Sequence, residues 1–235
     1  MRHLILACGL LALSSAAYAA DDINVNGLVQ TDFNNLSEDL GAVTSYKQLQ
    51  GSSSEGIAGF DMYFNAGATQ VSHQDAWDHA TGDSVSTVPF ADVTVSKGLP
   101  LGFDIGGEYS FVPGSNIHLY GLEARYAILD GGVAEPAVGL RAAFTHLTGV
   151  DDLSFNTKSL DLSISKGFGP VTPYAGVGEV WTDSTPDAST GLKSANFTDT
   201  QFFAGVTFNL GVHLALEYAH MAGNTTYSFK LGFGF

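Results

Sequence analysis

The last nine residues of the chain alternate large apolar side chains with small or polar ones and end on the aromatic Phe235. Successive side chains of a strand point to opposite faces, so this alternation predicts a strand with one apolar and one polar face. The closing strand of a transmembrane barrel has this pattern, because one face contacts lipid and the other faces the lumen. The predicted lipid-facing residues are Tyr227, Phe229, Leu231, Phe233 and Phe235.

Nine further alternating segments lie upstream, separated by Gly, Pro, Asn and Asp. Their connections mostly alternate between tight and long, as the periplasmic turns and outer loops of barrels do. The sequence therefore predicts an all-β fold, a transmembrane antiparallel up-and-down β-barrel of about ten strands, or twelve if the amino-terminal segment forms a hairpin. The predicted strands cover residues 56–71, 87–97, 102–111, 117–128, 134–146, 153–166, 171–182, 197–208, 211–221 and 225–235.

Residues 20–55 follow a helical period instead. Apolar residues recur there at spacings of four, three, four and three, which is the stripe of an amphipathic helix. Two interpretations stay open: a helical plug at the periplasmic mouth, or a peripheral segment on the barrel or the membrane interface. The predicted apolar face of this helix consists of Val29, Phe33, Leu36, Leu40 and Val43.

The amino terminus reads as a signal peptide. Arg2 precedes an apolar run, and Ala17-Tyr18-Ala19 forms a small-x-small cleavage site. The predicted organisation is a signal peptide at 1–19, a helical plug or peripheral segment with a linker at 20–55, and an outer-membrane β-barrel at 56–235. Export through this signal, together with the predicted barrel, predicts that the mature protein lies in the cell outer membrane.

Strand phase places ten charged residues on the lumen face. Carboxylates outnumber cations there, so the charges either pair in a closed interior or remain partly unpaired in a wet lumen and set ion preference. The predicted lumen charge network comprises Asp61, Asp92, Asp104, Glu108, Glu123, Arg125, Arg141, Asp161, Glu217 and Lys230.

Seven glycines share the lumen face. Many glycines on one face suggest the close approach of another segment or a retained passage, and barrel coiling is the alternative explanation. They are Gly67, Gly106, Gly121, Gly139, Gly205, Gly232 and Gly234.

Candidate chemistry is sparse. His73 and His79, with two aspartates between them, are weak candidates for metal ligands, but their spacing matches no strong ligand signature, and we favour amphipathic rim residues. No nucleophile elbow or protease pattern occurs, so we predict no enzymatic activity, no catalytic residue and no cofactor. The net charge of −15 argues against nucleic acid as a partner.

Several segments carry a resemblance. Residues 36–47 with 56–61, residues 112–117, and residues 160–168 with 172–178 are similar to a proteobacterial family of small outer-membrane β-barrel proteins without established activity. The resemblance implies location and fold, and it supplies no catalytic or ligand residues. The expected partners are outer-membrane lipid, the barrel-assembly machinery through the closing strand, and a small solute.

Three functional hypotheses follow. The first is passive passage or binding of a small solute, with the helix occluding the periplasmic mouth, and a continuous lumen would favour it. The second is a closed structural or surface-interaction barrel, which tightly paired lumen charges and ordered outer loops would favour. The third is a transporter of hydrophobic compounds of the fatty-acid type, which would need an apolar internal pocket.

Overall fold

The chain forms a closed ten-stranded antiparallel barrel in a computed structural model that describes residues 23–234. Each strand pairs with its neighbours in sequence, and β10 pairs with β1 to close the ring. The strands are β1 Phe60–Gln70, β2 Thr87–Gly98, β3 Phe103–Phe111, β4 His118–Leu129, β5 Ala137–Thr148, β6 Leu153–Ser165, β7 Val171–Pro186, β8 Ala195–Asn209, β9 His213–Met221 and β10 Asn224–Gly234. The helices are α1 Gln30–Thr44 and α2 Gln74–Thr81, with short 3-10 turns at Pro100–Gly102 and Ala188–Thr190.

The predicted fold class is confirmed. The largest boundary differences are four residues, at the start of β1 and at the end of β7. The alternative of twelve strands is wrong for the described chain, because residues 30–44 form a helix rather than a hairpin. The predicted signal peptide and Phe235 lie outside the described residues.

The outward face of the barrel is apolar. On β10, Tyr227, Phe229, Leu231 and Phe233 are exposed, whereas Lys230 is buried inside. Such a contiguous apolar surface needs lipid to cover it. No helix within residues 23–234 is long and apolar enough to cross a membrane.

Aromatic pairs lie on this outward face near both ends of the strands. Tyr109 and Tyr120 face each other across β3 and β4 with ring centroids 5.4 Å apart. Phe103 and Tyr126, at the opposite end of the same two strands, lie 4.7 Å apart. Girdles of this kind mark the two membrane interfaces of a transmembrane barrel.

The two ends of the barrel differ. We call one the short-turn end, formed by the connections at 99–102, 130–136, 166–170 and 210–212. The other is the long-loop end, formed by 71–86, 112–117, 149–152, 187–194 and 222–223, and its first connection contains α2. In outer-membrane barrels the short turns face the periplasm, so the long-loop end is the outer end.

Residues 23–55, here called the plug, run lengthwise through the barrel. At the long-loop end the Gln30 amide donates a hydrogen bond of 3.0 Å to the carbonyl of Lys193. At the short-turn end the backbone N–H of Ser54 donates to Asp130 at 2.8 Å. The helix α1 therefore lies inside the barrel toward the outer end, and its predicted position at the periplasmic mouth is corrected. The peripheral alternative is corrected with it, because α1 packs against the inner wall.

Close contact with the wall explains why α1 tolerates a glycine in its interior. A Cβ atom on Gly41 would lie 2.5 Å from the Thr182 hydroxyl oxygen of β7, so only glycine allows this approach. One turn earlier, the Ser37 hydroxyl shares a hydrogen bond of 2.8 Å with the Ser184 hydroxyl, also on β7. The second half of α1 therefore packs closely against β7.

Candidate functional site

An apolar core seals the outer half of the barrel. The plug contributes Phe33 and Leu36, which are fully buried, and α2 contributes Trp77, which is 1% exposed. Inward-facing residues of the strand ends complete the cluster, here called the outer core. Its fully buried or nearly buried members are Ile23, Val25, Phe33, Leu36, Leu40, Val71, Ala76, Trp77, Ala80, Val85, Val88, Val112, Ile117, Leu119, Leu147, Val150, Phe155 and Ala195.

The predicted apolar stripe of the helix largely lies in this core. Phe33, Leu36 and Leu40 are buried, and Val43 is partly buried against the cluster. Val29 is 62% exposed, because it precedes the first helical turn at the open rim. The stripe therefore binds the helix to the core through its central three residues.

Asp39 is the polar centre of the sealed half. Its carboxylate is completely buried and accepts hydrogen bonds from the indole nitrogen of Trp77 at 3.1 Å and from the Ser72 hydroxyl at 2.8 Å. The backbone N–H of His73 also donates to it at 2.9 Å. A buried carboxylate with several donors is well compensated, so Asp39 joins α1 to α2.

The two histidines that were weak metal candidates both contact plug carboxylates. His73 Nδ1 lies 2.9 Å from Asp39, and His79 Nδ1 lies 2.8 Å from Asp32. Within residues 23–234 no group of three or more His, Cys, Asp or Glu side chains is arranged to hold a metal ion. The histidines instead fasten α2 to the plug.

The Ser72 hydroxyl lies 3.3 Å from Nδ1 of its neighbour His73. Both groups approach the same aspartate, Asp39. A nucleophilic triad needs the serine on one ring nitrogen and the aspartate on the other, and here both are on Nδ1. This arrangement is not that of a hydrolase.

Glu38 lies on the plug helix at the outer end. Partial burial, together with the nearby charge of Asp199, raises the pKa of its carboxyl, and His73 opposes this shift. Because its carboxylate is 3.8 Å from His73 Nε2, Glu38 adds a weak ionic contact between α1 and α2.

All ten predicted lumen charges lie inside the barrel. Nine of them are no more than 7% exposed, and Glu108 is half-buried. The pairing interpretation accounts for several of them. Arg141 contacts Asp161 at 2.7 Å, and Lys230 contacts Asp61 at 2.6 Å.

Arg125 joins wall and plug. Its guanidinium contacts Glu55 of the plug at 2.6 Å, and it also lies 3.4 Å from Asp104 and 3.5 Å from Glu123 on the wall. Sequence reasoning missed Glu55, because residues 51–54 before it read as a flexible linker. Glu55 can be recognised as a partner of Arg125 only when the plug is known to pass through the lumen.

Lys47 is the second plug residue that sequence reasoning missed. Its ammonium group is buried and donates to the carbonyl of Ala42 at 2.7 Å and to the Ser45 hydroxyl at 2.8 Å. The wall carboxylates Glu217 and Glu108 act on it as opposite charges. The plug therefore supplies positive charge where the wall is acidic.

The lumen glycines have a local explanation at most positions. A large side chain from the neighbouring strand lies over the glycine, as Phe90 does at Gly67 and Tyr174 does at Gly205. The plug approaches one of the seven predicted glycines closely, since a Cβ on Gly139 would lie 2.9 Å from the carbonyl of Ser52. The suggestion of a retained passage is therefore corrected: the gaps hold cross-strand side chains.

Two internal spaces bear on function. A cavity of about 30 Å³ lies in the outer core against Leu40 and Trp77, and its lining is almost entirely apolar. A cavity of about 350 Å³ with charged, polar and apolar lining residues, here called the vestibule, opens at the short-turn end between the plug and strands β1, β4 and β7 to β10. Arg125, Lys230, Glu55 and Asp61 line it.

No protein-family model and no curated protein matches this chain. Among solved structures, the KdgM porin is 11% identical over 74% of this chain and 99% of its own, with a TM-score of 0.38. The N-terminal β-barrel domain of Pseudomonas aeruginosa OprF is 10% identical over 77% and 99%, with a TM-score of 0.34. Ail of Yersinia pestis is 15% identical over 74% and 98%, with a TM-score of 0.32. Similarities at this level say nothing about what this chain binds.

Proposed function

We propose that this protein is a closed outer-membrane barrel with a structural or surface-interaction role, exported by its signal peptide and contacting outer-membrane lipid through its apolar belt. The observation that carries the proposal is the outer core, in which the plug and α2 fill the outer half of the lumen. The barrel-assembly machinery would recognise the closing strand, whose alternating aromatic face is exposed on the outside.

Energetics support a closed state. Burial of a large apolar side chain stabilises by about 1.5–3 kcal/mol, so Phe33, Leu36 and Leu40 together contribute roughly 5–9 kcal/mol. Withdrawal of the plug would also break the contacts of Arg125 with Glu55 and of Trp77 with Asp39. That total is comparable to the entire stability of an ordinary domain, and a passively diffusing solute supplies nothing to offset it.

Passive passage is therefore the less favoured hypothesis. Several acidic side chains of the lumen are paired, as Asp161 is with Arg141 and Asp61 is with Lys230, and α1 lies deep in the barrel rather than across the periplasmic mouth. Transport of fatty-acid-type compounds has less support. The apolar cavity of about 30 Å³ has the volume of roughly one water molecule.

A reversible lock tests the proposal. Ser37→Cys combined with Ser184→Cys places two thiols where the hydroxyl oxygens lie 2.8 Å apart, and the chain's only cysteine, Cys8, falls in the predicted signal peptide. Mature protein would be refolded and inserted into planar bilayers, and its conductance compared with the disulfide oxidised and reduced. Ser37→Cys alone is the matched control.

We expect the disulfide to form and neither redox state to conduct. Conductance of the reduced and wild-type proteins that disappears on oxidation would overturn the proposal and establish a mobile plug over a pore. Failure of the disulfide to form in folded protein would contradict the position of α1 against β7.

A further inference from the structure

The vestibule differs chemically from the rest of the lumen. It opens at the short-turn end, and its volume of about 350 Å³ falls near the lower limit of about 300–1,000 Å³ found for ligand pockets. The end of the plug, including Ser53 and Glu55, forms one wall of the vestibule. The barrel strands form the other wall. The outer core closes it from the opposite side, so a ligand could enter only from the short-turn end.

The charges in the vestibule are balanced. Two carboxylates and two cations line it, and they pair as Arg125 with Glu55 and Lys230 with Asp61, each at 2.6 Å. His213 also lies 3.2 Å from Asp61. A ligand with net charge would have to displace one of these pairs, and breaking a buried pair is costly. The vestibule therefore disfavours ions and favours a neutral ligand.

Hydrogen-bonding capacity nevertheless remains. Arg125 and the Ser96 hydroxyl both donate to the same oxygen of Glu55, at 2.6 Å each. The other oxygen, Oε2, is buried and has no hydrogen-bond partner among residues 23–234. A buried acceptor without a donor costs free energy, so this oxygen would gain from any donor that reaches it from the vestibule.

The remaining lining offers donors and acceptors that carry no charge. Thr172, Thr207 and Asn209 come from the wall, and Ser53 comes from the plug. Hydroxyl and amide groups of this kind match a ligand with many hydroxyls, because each can either donate or accept. We propose that the vestibule binds a small, neutral, polyhydroxylated solute of one or two sugar rings from the periplasmic side.

The test uses saturation-transfer NMR on the refolded mature protein in a zwitterionic detergent, which avoids the sugar headgroups of maltoside detergents. The probes are maltose and, as a charged comparison, gluconate. Ser53→Trp fills the vestibule from the plug, where the serine side chain is exposed and makes no described hydrogen bond. Ser154→Trp makes the same change on an exposed position at the other end of the barrel.

We expect magnetisation transfer to maltose in the wild type and in Ser154→Trp, an affinity at least tenfold lower in Ser53→Trp, and weaker transfer to gluconate than to maltose. Absence of transfer to maltose in the wild type would overturn the proposal. Equal transfer in Ser53→Trp, or stronger binding of gluconate, would also overturn it. Conductance does not enter these readouts, so the closed-barrel proposal can fail or hold independently.

Discussion

The carboxylate of Asp39 accepts a hydrogen bond of 3.1 Å from the indole nitrogen of Trp77, so two helices that are far apart in sequence meet inside the sealed half of the barrel. Much of the polar contact between the plug and α2 therefore depends on the side chain of Asp39. Asp39 is fully buried, and its other donors come from Ser72 and His73.

Asp39→Ala should therefore lower the free energy of unfolding by about 3 kcal/mol or more, since several buried donors lose their acceptor. Urea unfolding in micelles, followed by tryptophan fluorescence, measures the change. Asp75→Ala, at an exposed position in the first turn of α2, is the control and should cost less than about 1 kcal/mol. Equal losses in the two variants would show that Asp39 is not the polar centre of the seal.

Gly41→Ala should destabilise the protein even though alanine favours a helix by about 1 kcal/mol. The new methyl group would collide with the Thr182 hydroxyl oxygen, 2.5 Å away, and such overpacking costs about 1–3 kcal/mol. Thr182→Ala removes that oxygen, which is buried and has no described partner. In a double-mutant cycle the pair should therefore recover most of the loss. Additive losses would place α1 farther from β7.

The pair of Arg141 and Asp161 should follow the rule for buried ion pairs. Asp161→Leu alone leaves the guanidinium unpaired and should cost about 3–5 kcal/mol, whereas adding Arg141→Met should restore most of that loss. The control is Asp183→Leu, which breaks the exposed contact with Lys158 and should cost less than about 1 kcal/mol. A double variant as unstable as the single one would contradict the pairing.

Glu38 predicts a pH dependence. Its pKa is raised above the ordinary value of 4.5 in the folded protein, mainly by burial and then by the charge of Asp199. The folded state then binds more protons than the unfolded chain between 4.5 and the raised value, so the free energy of unfolding falls as pH rises through that interval.

Glu38→Gln removes this contribution, so the stability of the variant relative to wild type should increase as pH rises through the same interval. Unfolding free energies measured in steps from pH 4 upward give the comparison. Parallel pH profiles for the two proteins would show that Glu38 does not carry the effect.

Much of the barrel could be predicted from its sequence, because lipid and lumen impose opposite chemistry on alternating positions. The same alternation correctly placed ten charged residues, from Asp61 to Lys230, on the inward face. Alternation alone leaves the phase around Glu179 ambiguous, and the structure resolves it. Val180 and Thr182 point inward, while Glu179 lies on the outward face and accepts from Thr200.

The position of the plug could not be predicted in this way. A helical stripe such as Phe33, Leu36 and Leu40 shows which side of a helix is buried, but not which end of a barrel receives it. The end is decided by α2, whose Ala76, Trp77 and Ala80 cover the helix. That apolar group, within residues 72–86, is the signal in the sequence, but the alternation of strands and connections treats this segment only as a long connection.

The lengthwise course of the plug has a topological consequence. The described chain traverses the barrel by its plug and again by each of its ten strands, so Ile23 and Gly234 lie at opposite ends of the molecule. A ring of ten strands cannot close first and admit residues 23–55 through its wall afterwards. Either the plug is inserted lengthwise through one end of the closed barrel, or the strands close around a plug that is already in place. Substitutions that weaken the packing of the plug should therefore first reduce the yield of assembled barrel, before they make the assembled barrel conduct.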